Sequence, residues 1–372
     1  MNYYILPKSN TPIYLHFSFF KECVDSKECV DSKHGIKTNI INNNNRINLN
    51  IISHTLVYSL LYIKNHILSY DETEIKELSK FINPYEFIFC NVPETNLSIS
   101  KLNPYSNIYY ELMEIIQNMF IFESPFFNKN LNILHLGNNV LSTDLLIDTI
   151  RDKYNDNKFL YSFNSFDINQ HSIYDFAIFE CVDNQTVNLI TSLQIIIHYL
   201  RIHGTVIIKI DSLFDKVTID FLFIMTNIFT QVYLIKPLLS NILTNDKYII
   251  CSKYLGNHNI SYINKPAFEK NVENVSSILY TKIPLFFISK IEEFNAIYGQ
   301  QQLEAYDHLI NIMNNKNKND KIEILKKLNI QKSISWCEKY HVPCNKFVDK
   351  INMFMIASKQ ECEDVYQNDG YK

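Results

Sequence analysis

Residues 204–254 determine the fold, and they read GTVIIKIDSLFDKVTIDFLFIMTNIFTQVYLIKPLLSNILTNDKYIICSKY. The apolar runs at 204–210, 232–235 and 247–252 have the length of buried strands, and 215–229 has the length of a helix. Only a loop separates the last two strands, and it is too short for the crossover that a parallel pair requires. We therefore predict that these two strands are antiparallel neighbours at one edge of a sheet.

The chain upstream of this stretch alternates strands with helices. Strands are predicted at 131–136, 158–163 and 174–181, and a helix capped by Ser142 or Thr143 extends to about 154. A second helix spans 183–201. Alternation of this kind is typical of a mostly parallel sheet with helices on both faces. The sequence thus predicts an α/β fold with a Rossmann-like sheet.

Helical patterns flank the predicted sheet on both sides. Helices are expected at 51–68, at 71–81 with Asp71 as the cap, and at 105–122. After Gly256, helices are expected at 274–280, 286–313 and 321–337. A tandem KECVDS repeat at 21–32 and an Asn run at 42–45 indicate a tolerated surface loop. We predict an N-terminal region (1–80) containing this low-complexity loop, an α/β domain (81–256) and a helical C-terminal region (257–372).

Composition excludes several classes of function. The chain of 372 residues has a net charge of -4, which argues against a protein that coats RNA. It has only six glycines, and no two of them are near neighbours, so neither a GxGxxG loop nor a Walker A loop is present.

Cysteine usage and hydropathy indicate a soluble intracellular protein. None of the eight cysteines forms a CxxC pair, which favours reduced thiols in a cytosolic setting. Cys337, His341 and Cys344 lie close together, but their spacing fits a packed helix end better than a zinc site, so no metal is expected. No apolar run is long enough to span a membrane, and the N-terminus lacks the pattern of a signal peptide. No contact with a membrane is expected either.

The stretch 204–254 resembles the FtsJ-like RNA ribose 2'-O-methyltransferases, and among them the members from large cytoplasmic DNA viruses. A parallel sheet that ends in an antiparallel pair is the outline of the S-adenosylmethionine methyltransferase fold. In the resemblance, a catalytic lysine ends the strand at 204–210, where this chain has Lys209. Six further positions match the family pattern in spacing, namely Lys236, Pro237, Ser240, Asn245, Asp246 and Tyr248.

The resemblance implies a catalytic tetrad of Lys, Asp, Lys and Glu that orients or deprotonates a ribose 2'-hydroxyl. The corresponding residues of this chain are Glu111, Glu180, Lys209 and Asp246, so only Lys209 is identical. At position 111 the charge is reversed. A carboxylate displaced by about 1 Å, as an Asp/Glu exchange implies, can lower the rate about a hundredfold.

The cofactor loop of the family also departs from its pattern here. The resemblance assigns the loop to four residues, His135, Gly137, Asn138 and Asn139, but the Gly-Gly pair of the family is missing. About ten residues separate the strand at 158–163 from the next strand, where the family has a further strand or helix that helps to hold the methyl donor.

Two hypotheses follow from the resemblance. The favoured one is a family member with lost or reduced catalysis that serves as a structural or regulatory subunit, with a capping or transcription protein as its partner. The alternative is an active enzyme that uses S-adenosylmethionine to methylate capped mRNA, whereas the first hypothesis requires no cofactor. Either protein would act in the cytoplasm, that is in the host cytoplasm or in a virion if it is viral. An unrelated Rossmann-like enzyme is disfavoured by the glycine count.

A structural use of the altered site is a further hypothesis. If Glu111 faces Lys209, the two side chains would form an ion pair that stabilises the fold instead of supporting chemistry.

Overall fold

A seven-stranded mixed sheet forms the centre of the computed structural model, which describes residues 3–19, 51–166, 172–258, 260–262, 275–315 and 318–345. The strands of this sheet are, in chain order, β1 (Tyr3–Ile5), β3 (Asn132–Leu136), β4 (Asn157–Tyr161), β5 (Tyr174–Cys181), β6 (Leu200–Ile210), β7 (Phe229–Ile235) and β8 (Lys247–Tyr254). A second sheet contains β2 (Ile13–Phe19), β9 (Ile260–Tyr262) and β10 (Val275–Leu279).

Helices cover both faces of the central sheet. They are α1 (His54–Ile67), α2 (Glu72–Ile82), α3 (Ile108–Asn118), α4 (Val140–Ile150), α5 (Gln185–Tyr199), α6 (Lys216–Ile228), α7 (Leu285–Met313) and α8 (Lys318–Lys339). One apolar core joins α3, α4 and α8 to one face of the sheet, and the other joins α5 and α6 to the opposite face. The chain is therefore an α/β protein of the predicted layered type.

The strand order β1-β7-β8-β6-β5-β3-β4 confirms the predicted sheet. Strands β3, β4, β5 and β6 pair in parallel, and β8 is antiparallel to both β6 and β7. Every residue of β5 is buried, as expected of a central parallel strand with helices on both faces. The predicted antiparallel pair is not the outermost one, however, because β1 pairs with β7 and forms the edge.

The segment predicted as a helix at 274–280 is instead strand β10. It pairs with β2, which also pairs with β9, so the second sheet joins a segment that follows β1 in sequence to two segments that follow β8. The buried carboxylate of Asp220 on α6 accepts hydrogen bonds from Ser277 Oγ at 2.6 Å and from the backbone N–H of Ile278 at 3.0 Å. These bonds attach the second sheet to α6, and such tertiary contacts override a weak local helical pattern.

Helix α4 begins three or four residues earlier than predicted. Its N-cap is Asn139, and neither Ser142 nor Thr143 caps it. Asn139 makes no side-chain cap, because its amide is bonded elsewhere, as described below. The predicted cap of α2 is confirmed, since Asp71 accepts a hydrogen bond from the N–H of Glu74 at 3.0 Å.

The low-complexity segment lies outside the described residues, and the predicted boundaries near 80 and 256 stay predictions. Within the part of the chain that is described, no helix is both long and apolar enough to cross a membrane.

Candidate functional site

The sequence-predicted site residues meet where β5 and β6 end and β8 begins. Strand pairing places Glu180 of β5 opposite Lys209 of β6, and Lys209 opposite Tyr248 of β8. Because side chains of paired residues point to the same face of a sheet, these three side chains form a row on the face covered by α3. This is the carboxyl edge of the parallel strands, where open α/β sheets bind ligands.

Glu111 of α3 forms an ion pair with Lys209. The Lys209 ammonium lies 2.9 Å from Glu111 Oε2 and 3.6 Å from Asp246 Oδ2. The side chains of Lys209 and Glu111 are 13% and 5% exposed, so water screens this pair little. Three of the four tetrad positions thus meet around one ammonium group.

Two neutral groups complete the bonding of the Glu111 carboxylate. The Tyr248 hydroxyl donates a short hydrogen bond to Glu111 Oε2, and the Asn107 amide lies 3.3 Å from Oε1. Burial, followed by the charge of Glu111, raises the pKa of Tyr248 well above its ordinary value, which keeps the hydroxyl a donor. Each oxygen of Glu111 therefore has a partner inside the protein.

The surrounding carboxylates keep Lys209 protonated. Burial lowers the pKa of this amine, but the charges of Glu111 and Asp246 outweigh burial, and the net pKa is raised above its ordinary value. A general base must be unprotonated near the working pH. In this arrangement Lys209 is a cation bonded to carboxylates, and its raised pKa disfavours the free amine that proton abstraction requires.

Glu180 forms hydrogen bonds with the predicted cofactor loop. Its Oε1 accepts hydrogen bonds from His135 Nε2 at 2.8 Å and from the Asn139 backbone N–H at 3.0 Å. Its Oε2 accepts one from the Asn139 amide at 2.7 Å. We call this arrangement of Glu180, His135 and Asn139 the Glu180 latch.

The protonation of the latch follows from its bonds. Burial raises the pKa of Glu180, but hydrogen bonds from His135 and Asn139 outweigh burial and lower the net pKa, so the carboxylate is ionised. No residue in the described part of the chain forms a hydrogen bond with the buried Nδ1 of His135. The hydrogen bond to the Glu180 carboxylate requires a proton on His135 Nε2.

The latch places the Glu180 side chain directly against Gly137. A Cβ atom built on Gly137 would lie 2.5 Å from Glu180 Cδ and 2.6 Å from Glu180 Oε1. A glycine at such a loop normally allows a ligand to approach the backbone closely. Here the close approach is made by the protein's own carboxylate, so the residues present do not fit S-adenosylmethionine without movement of Glu180.

The four predicted cofactor-loop residues differ in exposure. His135 is completely buried beneath Glu180, and Gly137 is also buried. Asn138 is exposed and donates to Asp183 at 3.2 Å, whereas Asn139 is committed to the latch. Leu141 is exposed and does not enter the loop.

The sequence did not indicate the roles of Lys236 and Lys247, two buried lysines near Asp246. Lys236 donates to the backbone oxygens of Thr244 at 2.9 Å and Asp246 at 3.0 Å, which fixes the loop that carries Asp246. Burial lowers the pKa of Lys236 to about 8 and that of Lys247 to about 7. The sequence of β8 did indicate that Lys247 is buried, because Lys247 lies on the same face of the strand as the buried Ile249.

The described residues contain no group of three or more His, Cys, Asp or Glu side chains placed to hold a metal. Cys337 is buried in the last turn of α8, where its carbonyl accepts a bond from the N–H of Val342 at 2.8 Å. The cysteine-rich segment is a helix end that packs against the core.

Comparisons with known proteins add a viral relative and a distant structure. No family model matches the chain. An uncharacterised protein of Acanthamoeba polyphaga mimivirus is 25% identical over 248 residues, which cover 66% of this chain and 58% of that protein. The chain thus spans little more than half the length of this relative.

A solved structure from Plasmodium falciparum, described provisionally as a ribosomal RNA methyltransferase, shares 18% sequence identity with the chain. The alignment covers 41% of this chain and 98% of that one, with a TM-score of 0.31. At these levels of similarity neither comparison assigns an activity, and any functional conclusion depends on the site itself.

Proposed function

We propose that the protein is a methyltransferase-fold subunit that has lost methyl transfer and serves a structural or regulatory role beside an RNA-capping or transcription enzyme. The observation that carries this proposal is the 2.9 Å ion pair between Lys209 and Glu111. The resemblance places a lysine where Glu111 stands. The exchange converts a group that tunes the catalytic lysine into one that neutralises it.

The Glu180 latch supports the same proposal independently. The carboxylate that the family would direct toward the reacting hydroxyl is instead bonded to His135 and Asn139. A ligand that displaced it would have to break three hydrogen bonds to an ionised group. Hydrogen bonds of this class stabilise by roughly 1.5–3 kcal/mol each, so displacement would consume much of the binding energy of a small cofactor.

An active 2'-O-methyltransferase acting on capped mRNA is the second candidate. It is favoured by the alignment of Glu180, Lys209 and Tyr248 in one row at the ligand-binding edge of the sheet. Activity would require Glu180 to leave the latch and Lys209 to release a proton in the presence of Glu111.

Transfer of a labelled methyl group from S-adenosylmethionine to capped RNA tests the two candidates. We expect no transfer by the purified protein, and co-purification with a defined partner from its native source. Methylation of capped RNA by the protein alone would overturn the proposal. The variant Glu111→Lys, which restores the family's lysine, provides the matched comparison. We expect no transfer by this variant either, because Glu180 stays in the latch, and its unfolding temperature is measured alongside because the ion pair with Lys209 is lost.

A further inference from the structure

A groove of about 420 Å³ lies between α8 and the loops that follow α2 and β7. One face of α8 forms its floor, because residues spaced by three or four positions share a helix face. Tyr85 and Leu238 form its walls. We call this the α8 groove and define it by Tyr85, Leu238, Leu328, Lys332, Trp336 and Lys339.

The charge of the α8 groove is opposite in sign to that of the whole chain. Both charged residues that line it are lysines, Lys332 and Lys339, whereas the net charge of the protein is -4. Lys339 contacts the Tyr340 hydroxyl at 3.1 Å and Asn118 Oδ1 at 3.4 Å, which are both neutral groups. Within the described residues neither lysine forms an ion pair, so both charges can act on a ligand.

The walls of the groove provide apolar surface at the same place. Leu238 and Leu328 are 39% and 46% exposed, and the Tyr85 ring is partly exposed. Apolar and aromatic surface next to lysines fits a ligand with flat bases and a phosphate backbone. A peptide rich in carboxylates would form ion pairs with the lysines but would make fewer contacts with the apolar walls.

The α8 groove and the Lys209 site lie on two sides of one loop. The backbone N–H of Leu238 donates to the buried carboxylate of Glu114 at 3.0 Å. The next carbonyl, that of Leu239, accepts a bond from Asn107 at 3.1 Å, and Asn107 also contacts Glu111. The α8 groove and the Lys209 site are therefore connected through this loop.

We propose that the α8 groove binds single-stranded RNA, with Lys332 and Lys339 on phosphates and with Tyr85 and Leu238 against a base. The choice of RNA as the ligand depends on the proposed function, whereas the groove and its charge do not. An intact RNA groove beside an inactive site would explain how a subunit without methyl transfer still takes part in RNA processing.

Fluorescence anisotropy of a short labelled single-stranded RNA, titrated with the full chain, tests this inference. The variant Lys332→Ala/Lys339→Ala removes both proposed phosphate contacts. Its matched control is Lys153→Ala/Lys282→Ala, which removes two exposed lysines outside the groove. Loss of one contact lowers affinity for a single strand about fivefold at about 0.1 M salt, so the groove variant should bind about 25-fold more weakly.

The salt dependence and a second variant separate RNA from other occupants. The slope of log K against log salt should fall by about 1.4 in the groove variant and stay unchanged in the control. Tyr85→Ala should weaken binding about fivefold or more, with Tyr85→Phe retaining it, because stacking needs only the ring.

Three results would overturn the inference. They are absence of RNA binding by the unaltered protein, equal binding by the groove and control variants, and displacement of RNA by an acidic peptide at equal charge concentration. If the unfolding temperature shows that the lysine variant does not fold, the comparison of Tyr85→Ala with Tyr85→Phe tests the inference in its place. Titration with S-adenosylmethionine reports on the proposed loss of methyl transfer separately, so the two ideas can fail independently.

Discussion

Replacing either member of the Lys209–Glu111 pair should destabilise the fold, and a double-mutant cycle measures by how much. Removing one partner of a buried ion pair typically costs 3–5 kcal/mol, because the other charge stays buried without compensation. In Glu111→Gln, Lys209 keeps Asp246 at 3.6 Å, so we expect a loss of about 2–3 kcal/mol. In Lys209→Met, the hydrogen-bond donors that Glu111 keeps among the described residues are the neutral Tyr248 and Asn107, and the loss should be about 3–4 kcal/mol.

The two losses should not add in the double variant. Glu111→Gln/Lys209→Met buries no uncompensated charge at these positions, so we expect a coupling energy of about 2 kcal/mol between them. Urea denaturation followed by circular dichroism measures the four stabilities. Lys290→Met is the control, because its ion pair with Glu293 at 2.7 Å lies on the surface, and no measurable change is expected there.

A stabilising effect of Lys209→Met would refute this reasoning. Residues kept for catalysis are often held at a cost in stability, and their replacement then raises the stability of the fold. An increase in the urea midpoint of the variant would mean that Lys209 is maintained for chemistry and not for the ion pair with Glu111.

Three further predictions concern the latch and the buried lysine. Gly137→Ala should lower the free energy of unfolding by about 1–3 kcal/mol, because the added methyl group crowds the Glu180 carboxylate. In urea denaturation the same change should have a smaller effect in a Glu180→Ala background. Equal effects in both backgrounds would contradict the latch. Because the pKa of Glu180 is lowered, its contribution to stability is present above the ordinary carboxyl pKa and is lost in acid. Glu180→Gln should therefore be less stable than the unaltered protein at pH 7 and equally stable below the lowered pKa. A difference in stability that does not depend on pH would argue against an ionised latch. Burial lowers the pKa of Lys247 to about 7, so between about pH 7 and pH 10.5 the unfolded chain binds one proton more than the folded chain at this residue. The free energy of unfolding should therefore rise with pH across this window by about 1.4 kcal/mol per pH unit relative to Lys247→Met. Denaturation midpoints measured at several pH values would reveal or exclude this trend.

The central sheet was predictable because its strands carry strong and redundant signals. The run that became β5 is apolar throughout, and the short connection between β7 and β8 allows only an antiparallel pair. The edge strand β1 was missed because three residues beside a chain terminus carry too little pattern to assign. The helix predicted at 274–280 was wrong for a different reason, since the pairing of β10 with β2 joins segments about 260 residues apart.

The composition of the site was predictable, but its bonding was not. The ion pair between Glu111 and Lys209 was a stated hypothesis, and the structure confirms the contact. The latch was not foreseen, because a glutamate at the end of a strand does not reveal which donors it will meet. Its partner His135 is 45 residues away in sequence, and only the parallel pairing of β3 with β5 brings the two side chains together.

Titration calorimetry with S-adenosylmethionine is the most direct test of the central claim that the protein's own carboxylate occupies the cofactor loop. We expect no heat of binding at millimolar ligand for the unaltered protein, because Glu180 lies against Gly137 and holds His135 and Asn139. Saturable binding at micromolar ligand with one site per chain would contradict the claim.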